Sequence, residues 1–296
     1  MAHHLVSLAK GQVFAVPPPF EGHSKGYTAD TVLQESSEAV HIGFRISILE
    51  PGGHADTHLH SFEESLFIID GDLVVDTAEG SVALATGDYG LLHAFTPHAF
   101  RNVGDRPVRF AEQRSPMPRQ RLGYDTAFVP AVSPTDPIRV DPRDPRTKSF
   151  GHIDPENSDP AMQTQDRLAL SASMRTALLV YSGITVKMMV DSDLGAHLHT
   201  MFMVRYVPGG FAGPHDHPFE ESYLILEGEV ESRFDGTTYM LGPGDFAWAG
   251  VGCVHEFYNV TDQPVRWLET SSPGPPTRHA YRFRRDWTYL GEVLES

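Results

Sequence analysis

Two groups of residues in this chain have the types and spacing to bind a metal ion. In the second half, His215 and His217 are separated by one residue, Glu221 follows four residues after His217, and His255 comes later, beyond the turn Gly242-Pro243-Gly244-Asp245. The first half repeats the layout as His58, His60, Glu64 and His98, with Gly87-Asp88 before the last histidine. Three imidazoles and one carboxylate are a donor set that a mid-row divalent ion takes when it must keep positions open for substrate. Such donors fill four corners of an octahedron and leave two adjacent corners free. Mn(II), Fe(II), Ni(II) and Zn(II) all accept them, so the expectation is one divalent transition metal per half, its identity open. One histidine on an apolar strand is usually a packed core residue. Three with an acid, repeated in register, are poorly explained by packing.

These donors need elements that bring them together. Residues 44–50, 65–69 and 72–76 read as short strands, with Pro51-Gly52-Gly53 and Asp70-Gly71 as turns between them. More short strands are expected at 81–85, 89–92 and 108–111, and in the second half at 177–181, 184–190 and 200–207. Pro208-Gly209-Gly210 then repeats the first glycine turn, which makes the chain an internal duplication. Many short strands between glycine turns predict an antiparallel sandwich or barrel. His58 and His60 share a strand face, and donors from neighbouring strands converge inside a small barrel. Glu63 and Glu220 have the opposite parity and are expected to face away from the donors. The predicted organisation is an all-β chain with a barrel at 1–120, a Pro/Asp-rich connector at 121–165, either ordered on the barrels or a disordered linker, and a second barrel at 166–296.

Composition narrows the function classes. A formal net charge of -16 over 296 residues excludes a broad nucleic-acid surface and attraction to anionic lipid. The single cysteine, Cys253, excludes a disulfide framework and a cysteine-built zinc site, and is expected to be a small buried thiol. With no leader pattern and no run of about 18 apolar residues, a cytoplasmic protein without membrane contact is expected.

At the metal-donor residues the chain resembles the cupin superfamily. The first cupin motif, G-x5-H-x-H-x3-E-x6-G, is met by Gly52, His58, His60, Glu64 and Gly71, and again by Gly209, His215, His217, Glu221 and Gly228. The second, G-x5-P-x-G-x2-H-x3-N, is met by Gly244, Gly252, His255 and Asn259, with Gly250 in place of proline. In the first copy Gly87, His98 and Asn102 match, while His93 and Phe95 replace the proline and glycine. The resemblance implies two tandem cupin jelly-roll barrels, a metal inside each, and a homodimer, with the segment before Val40 and the Arg- and aromatic-rich stretch 278–294 as interface material.

Cupins with this donor set include dioxygenases, oxalate decarboxylases, isomerases and hydrolases. The leading expectation is therefore a metal-dependent enzyme of dioxygenase or decarboxylase type acting on a small oxygen-rich organic molecule. A hydrolase resembling ureidoglycine aminohydrolase is the alternative, although that family orders its donors as acid-x-His-x3-His. A non-catalytic metabolite-binding or storage-like barrel is the third. Tyr223, with the parity of Glu221, is the candidate catalytic donor or acid. Arg45 and Arg205 are candidates for a substrate carboxylate, and His93 and Trp248 are expected near a cavity mouth. His197 and His199, placed on the strand before the second glycine turn, receive no metal role. Leu66, Ile68 and Phe100 make the first cavity the more apolar, so the second barrel is expected to carry the main chemistry.

Overall fold

Alternating side chains and glycine turns divide the chain into strands, and among the described residues the helical pieces are short 3-10 segments of three to six residues. The computed structural model describes residues 3–159, 181–274 and 282–283. The expected strand residues 177–180, and the stretch 278–294 apart from Arg282-Phe283, lie outside the described residues. Among the described residues no helix is long and apolar enough to cross a membrane.

The described strands form two curled sheets in two compact units. In the first, strands follow the order Gly80–Ala85, Asp72–Thr77, His98–Arg101, Gly43–His60, Val108–Ser115, Glu63–Asp70, Asp88–Leu92. In the second, Thr237–Leu241, Val230–Phe234, His255–Tyr258, Thr200–Asp216, Val265–Ser272, Glu220–Glu227 and Phe246–Ala249 follow in the same order. The duplication thus extends to the strand order. Each sheet closes over its own core, with Leu66, Ile68, Phe100 and Phe110 in the first and Tyr223, Ile225, Phe257 and Trp267 in the second.

Glycine is required where strands turn back most tightly. At Gly71 (φ +92°) and Gly228 (φ +70°) a Cβ would lie 2.7 Å from the Pro107 carbonyl oxygen and 2.3 Å from that of Pro264. Asn102 braces the neighbouring loop: its Nδ2 donates to the Leu49 and Arg106 carbonyls, both at 2.8 Å, and its Oδ1 accepts from Gly104 N at 2.9 Å.

The units take in chain from outside the sequence-drawn spans 1–120 and 166–296. Residues 12–154 group with 189–200, and residues 3–11 with the described parts of 155–188 and 201–296. His4–Ser7 pairs with Phe246–Ala249. Within the stretch 121–165, Thr126–Phe128 pairs with Gly43–His60, Ile138–Arg139 with Gly80–Ala85, and Phe150–His152 with Asp88–Leu92. These added strands are two or three residues long, as expected where prolines interrupt the supply of backbone donors.

Candidate metal centre

A bulge aims the histidines of each barrel. Ala55 pairs with Phe100, but the next partners are His58 and His98, so three steps on one strand match two on the other. The second sheet repeats this: Ala212 pairs with Phe257, then His215 with His255. The extra residue resets the side-chain alternation and sets His58 directly across from His98. His60 and Glu64 flank the turn into strand Glu63–Asp70, and the curl of the sheet brings the carboxylate back to the rings.

The Nδ1 atoms of the imidazoles are held by backbone carbonyls. His58, His60 and His98 donate to the oxygens of Asp56, Phe62 and Thr96 at 2.8, 2.7 and 2.9 Å. His215, His217 and His255 do the same to Gly213, Phe219 and Cys253 at 2.8, 2.7 and 3.0 Å. A carbonyl only accepts, so Nδ1 carries the proton and Nε2 of the neutral ring presents a lone pair. His60 stacks on Phe62 at 3.9 Å and His217 on Phe219 at 4.0 Å, which fixes the direction of those lone pairs.

In the first barrel the Nε2 atoms of His60 and His98 lie 3.4 and 3.6 Å from Glu64 Oε2. In the second, His217 and His255 lie 2.8 and 3.6 Å from Glu221 Oε2. The donor atoms of each trio fall within 4.8 Å of one another, and all six residues are buried. His58 and His215 stand beside the trios, their rings 4.2 Å from those of His98 and His255. The Nε2 atoms of His60, His98 and His255, both Glu64 oxygens and Glu221 Oε1 have no hydrogen-bond partner. Buried lone pairs pointed at a carboxylate repel unless a cation lies among them, so these residues fit a divalent ion.

The electrostatics follow from burial and these contacts. Burial acts to raise Glu64 and Glu221, but their histidine neighbours outweigh it and hold both well below the usual carboxylate range. Burial drives His58 and His215 far down, reinforced by His98 and His255. At His217 burial is outweighed by the charge and hydrogen bond of Glu221, so this ring is raised.

Around the donors the two barrels differ from the sequence expectation. The first interior is not simply apolar. Buried Arg45 donates from Nε to Glu112 Oε2 at 2.7 Å, with Nη2 on the same oxygen, and that Nη2 lies 3.5 Å from Glu64 Oε1. Tyr27 donates to Glu112 Oε1 at 2.8 Å, and the Ser47 hydroxyl donates to the same oxygen. Burial raises the Glu112 carboxyl despite Arg45. In the second barrel Tyr223 donates to Glu221 Oε2 at 2.7 Å, and Trp267 Nε1 donates to Glu269 Oε2 at 2.8 Å. Burial, then Glu221, pushes the Tyr223 phenol well up, and burial does the same to Glu269. Sequence reasoning missed Glu112 and Glu269. The available signal was the 157-residue offset of the metal motifs, which relates them as it relates Gly52 to Gly209 and His98 to His255.

Other candidates lie elsewhere. Glu63 does turn from the trio: it accepts from the backbone N–H of His197 and Leu198, at 3.0 and 2.9 Å. His199 sits 3.5 Å from the same carboxylate and 2.5 Å from Ser65 Oγ. The pair His197 and His199 is therefore not on a strand before the glycine turn but in a loop of the first unit. Trp248 is not at a cavity mouth. It pairs with Ser222, on the face opposite Glu221 and Tyr223, with Nε1 3.4 Å from Glu220. Arg205 is half-buried, 3.6 Å from Asp159. His93 is half-buried beside Gly195. Cys253 is buried, and burial pushes its thiol up to about 12, which makes it unreactive near neutral pH.

Comparison with known proteins adds four findings. The family described as Cupin domain matches residues 45–112 and 202–271. The chain is 32% identical over 113 residues to the polyketide synthase CurC of Streptomyces cyaneus, covering 37% of this chain and 73% of that one. It is 31% identical over 137 residues to the tetracenomycin polyketide synthase protein TcmJ of Streptomyces glaucescens, covering 45% of this chain and 90% of that one. Among solved structures, the oxalate decarboxylase of Lactobacillus farciminis in its formate complex superposes with a TM-score of 0.63. That match has 15% identity and covers 99% of this chain and 94% of the other, a likeness of fold.

Proposed function

Because the chain belongs to the cupin superfamily, with two cupin domains in tandem, we propose that it is a divalent-metal-dependent enzyme of the oxygenase or decarboxylase type. Its substrate is a small oxygen-rich organic molecule. His58, His60, Glu64 and His98 hold one metal, and His215, His217, Glu221 and His255 hold another. The observation that carries this reading is the set of buried Nε2 lone pairs aimed at a carboxylate, each ring fixed by a carbonyl on its other nitrogen.

A bound divalent ion supplies Lewis-acid polarisation of a substrate oxygen and, for a redox-active metal, an electron donor towards dioxygen. The chain's own residues bind and orient. The carbonyl-held tautomers of His60, His98 and His255 present Nε2 without a proton to lose, so these rings are ready as ligands. Tyr223 keeps its hydroxyl proton, donates it in a hydrogen bond to Glu221 Oε2 and fixes that carboxylate, a positioning role in which its raised phenol stays neutral at physiological pH. Arg45 and Glu112 form the corresponding support in the first barrel, where Arg45 reaches towards Glu64 Oε1. The aromatic and aliphatic cores beneath both trios exclude water from one side of each.

The relatives' names associate them with polyketide synthases, and polyketides are rich in enol and phenol oxygens of the kind such a site binds. The test is turnover of a panel of small enolic, phenolic and carboxylic compounds by metal-loaded protein in an oxygen electrode, with carbon dioxide release measured in parallel. Oxygen uptake or carbon dioxide release that a chelator abolishes is the expected result. Hydrolysis without either gas would favour an aminohydrolase-type reaction. No metal-dependent turnover of any kind would favour a binding protein.

A further inference from the structure

On the inner face of the first barrel a buried guanidinium, Arg114, makes no close ion pair among the described residues. Strand Val108–Ser115 sets Arg114 opposite Glu64 on one side and Gly43 on the other. The guanidinium lies over Gly43, where a Cβ would meet Pro118 Cδ at 2.8 Å. Arg114 is 6% exposed, its Nε has no hydrogen-bond partner, and no carboxylate among the described residues forms an ion pair with it. Of the two acids whose charge acts on it, Glu112 is engaged by Arg45, Tyr27 and Ser47, and Glu64 faces His60, His98 and Arg45 at 3.4 to 3.6 Å. Burial, and then the charge of Arg45, pushes Arg114 down to about 10. The chain has 39 acidic residues against 23 Lys and Arg, so the missing partner is not a matter of composition. A buried unpaired guanidinium is costly, and a ligand that brings its own negative charge removes the cost.

Arg45 and Arg114 both line a cleft of about 120 Å³. Pro17, Pro18, Pro19, Met117 and Pro118 give it stiff, apolar walls. Its acid, Glu35, has Oε2 engaged by the backbone N–H of Gln120 at 2.9 Å. We propose that this cleft admits a small organic acid with an apolar, flat body, its carboxylate gripped by the Arg114 fork beside Glu64. A planar guanidinium matches a carboxylate through two parallel hydrogen bonds, which an ammonium does not reproduce. The inference deepens the metal reading and rests on it for the ligand's role as substrate: with Glu64 committed to a cation, Arg45 and Arg114 face only Glu112. Binding itself does not require the metal. It also moves substrate capture to the first barrel, against the sequence expectation that the second does the main chemistry.

The test is titration of full-length, chelator-treated protein with 4-fluorobenzoate, followed by fluorine NMR, with 4-fluorobenzamide as the uncharged comparison. Saturable binding of the acid is expected, with the amide at least tenfold weaker. Arg114→Gln should weaken the acid at least tenfold, Arg114→Lys by an intermediate factor, and Arg139→Gln, at an exposed ion pair with Asp72, not at all. Loss of an uncompensated buried charge should leave the thermal midpoint of Arg114→Gln unchanged or higher; Arg114→Lys serves if it does not fold. Absence of saturable binding, equal binding of acid and amide, or unchanged affinity in the folded Arg114 variants overturns the proposal. Repeating the titration beside metal analysis separates the two readings. Carboxylate binding through Arg114 in a protein that takes no metal would leave the cleft standing and sink the metal reading. Metal uptake without carboxylate binding would do the reverse.

Discussion

Replacing Arg45 with methionine probes the polar support under the first trio. Methionine keeps an unbranched stem in the same space and removes only the guanidinium. Glu112, fully buried, then loses its Nε and Nη2 donors and keeps the Tyr27 and Ser47 hydroxyls. Breaking a buried ion pair from one side costs about 3–5 kcal/mol, and the two remaining donors place this case near about 3 kcal/mol. The sign with pH follows from Glu112. Burial, the largest cause, already raises it above the ordinary 4.5 of a glutamate, and loss of Arg45 removes a lowering influence. A group raised in the folded state favours folding at low pH and loses that contribution as pH rises through the folded value. The deficit of Arg45→Met should therefore be larger at pH 8 than at pH 5. Hydrogen exchange of metal-free protein, corrected for intrinsic rates and followed by mass spectrometry on peptides covering Val108–Ser115, reads it locally. A loss of about 3 kcal/mol appears as roughly 100-fold faster opening at pH 8. Adding Glu112→Gln should restore most of the protection, because the amide still accepts from Tyr27 and Ser47 and carries no charge. A deficit below about 1 kcal/mol at pH 8, or one that the second substitution does not relieve, would refute the buried-pair reasoning.

Asn102→Ala strands the Leu49 and Arg106 carbonyls and the Gly104 N–H, and at about 1 kcal/mol for each lost bond should cost about 3 kcal/mol in urea unfolding. Tyr223→Phe should lower metal affinity in the second barrel about 10- to 100-fold, the usual effect of losing a group that orients a ligand, while the first barrel's affinity stays constant in competition with a chromogenic chelator. His60→Ala should empty the first barrel and His217→Ala the second, each leaving far-UV circular dichroism unchanged. In metal-free protein the raised His217 contributes stability below its ordinary value of 6.5 that is lost as pH climbs through the folded value, so wild type should lose stability relative to His217→Asn across that window.

The clustering of His60, Glu64 and His98, and of His217, Glu221 and His255, was legible because an H-x-H pair on a strand encodes a shared face, and an acid four residues on encodes the next strand across a turn. The two barrels were legible for the same reason: Gly71 and Gly228 sit where only glycine fits against Pro107 and Pro264. The bulge between Ala55 and His58 was not, since an inserted residue leaves no mark in side-chain alternation until the partner strand is known. The Arg45–Glu112 pair joins residues on two strands that pair only in the folded sheet, so neither residue alone signals a buried charge. Trp248 was misplaced because its face depends on register with Ser222, and His199 because strand and loop were not distinguished between two strand-like runs.

The central claim is that the two buried trios, each with a histidine beside it, are metal sites. Its most direct test is a crystal of protein soaked in Mn(II), with anomalous difference maps collected at an energy where manganese scatters, beside elemental analysis of the same preparation. A peak is expected among His60, Glu64 and His98 and another among His217, Glu221 and His255, each in contact with the Nε2 atoms. Flat maps at both trios, with their Nε2 atoms bridged to the carboxylates by water or protons alone, would contradict it.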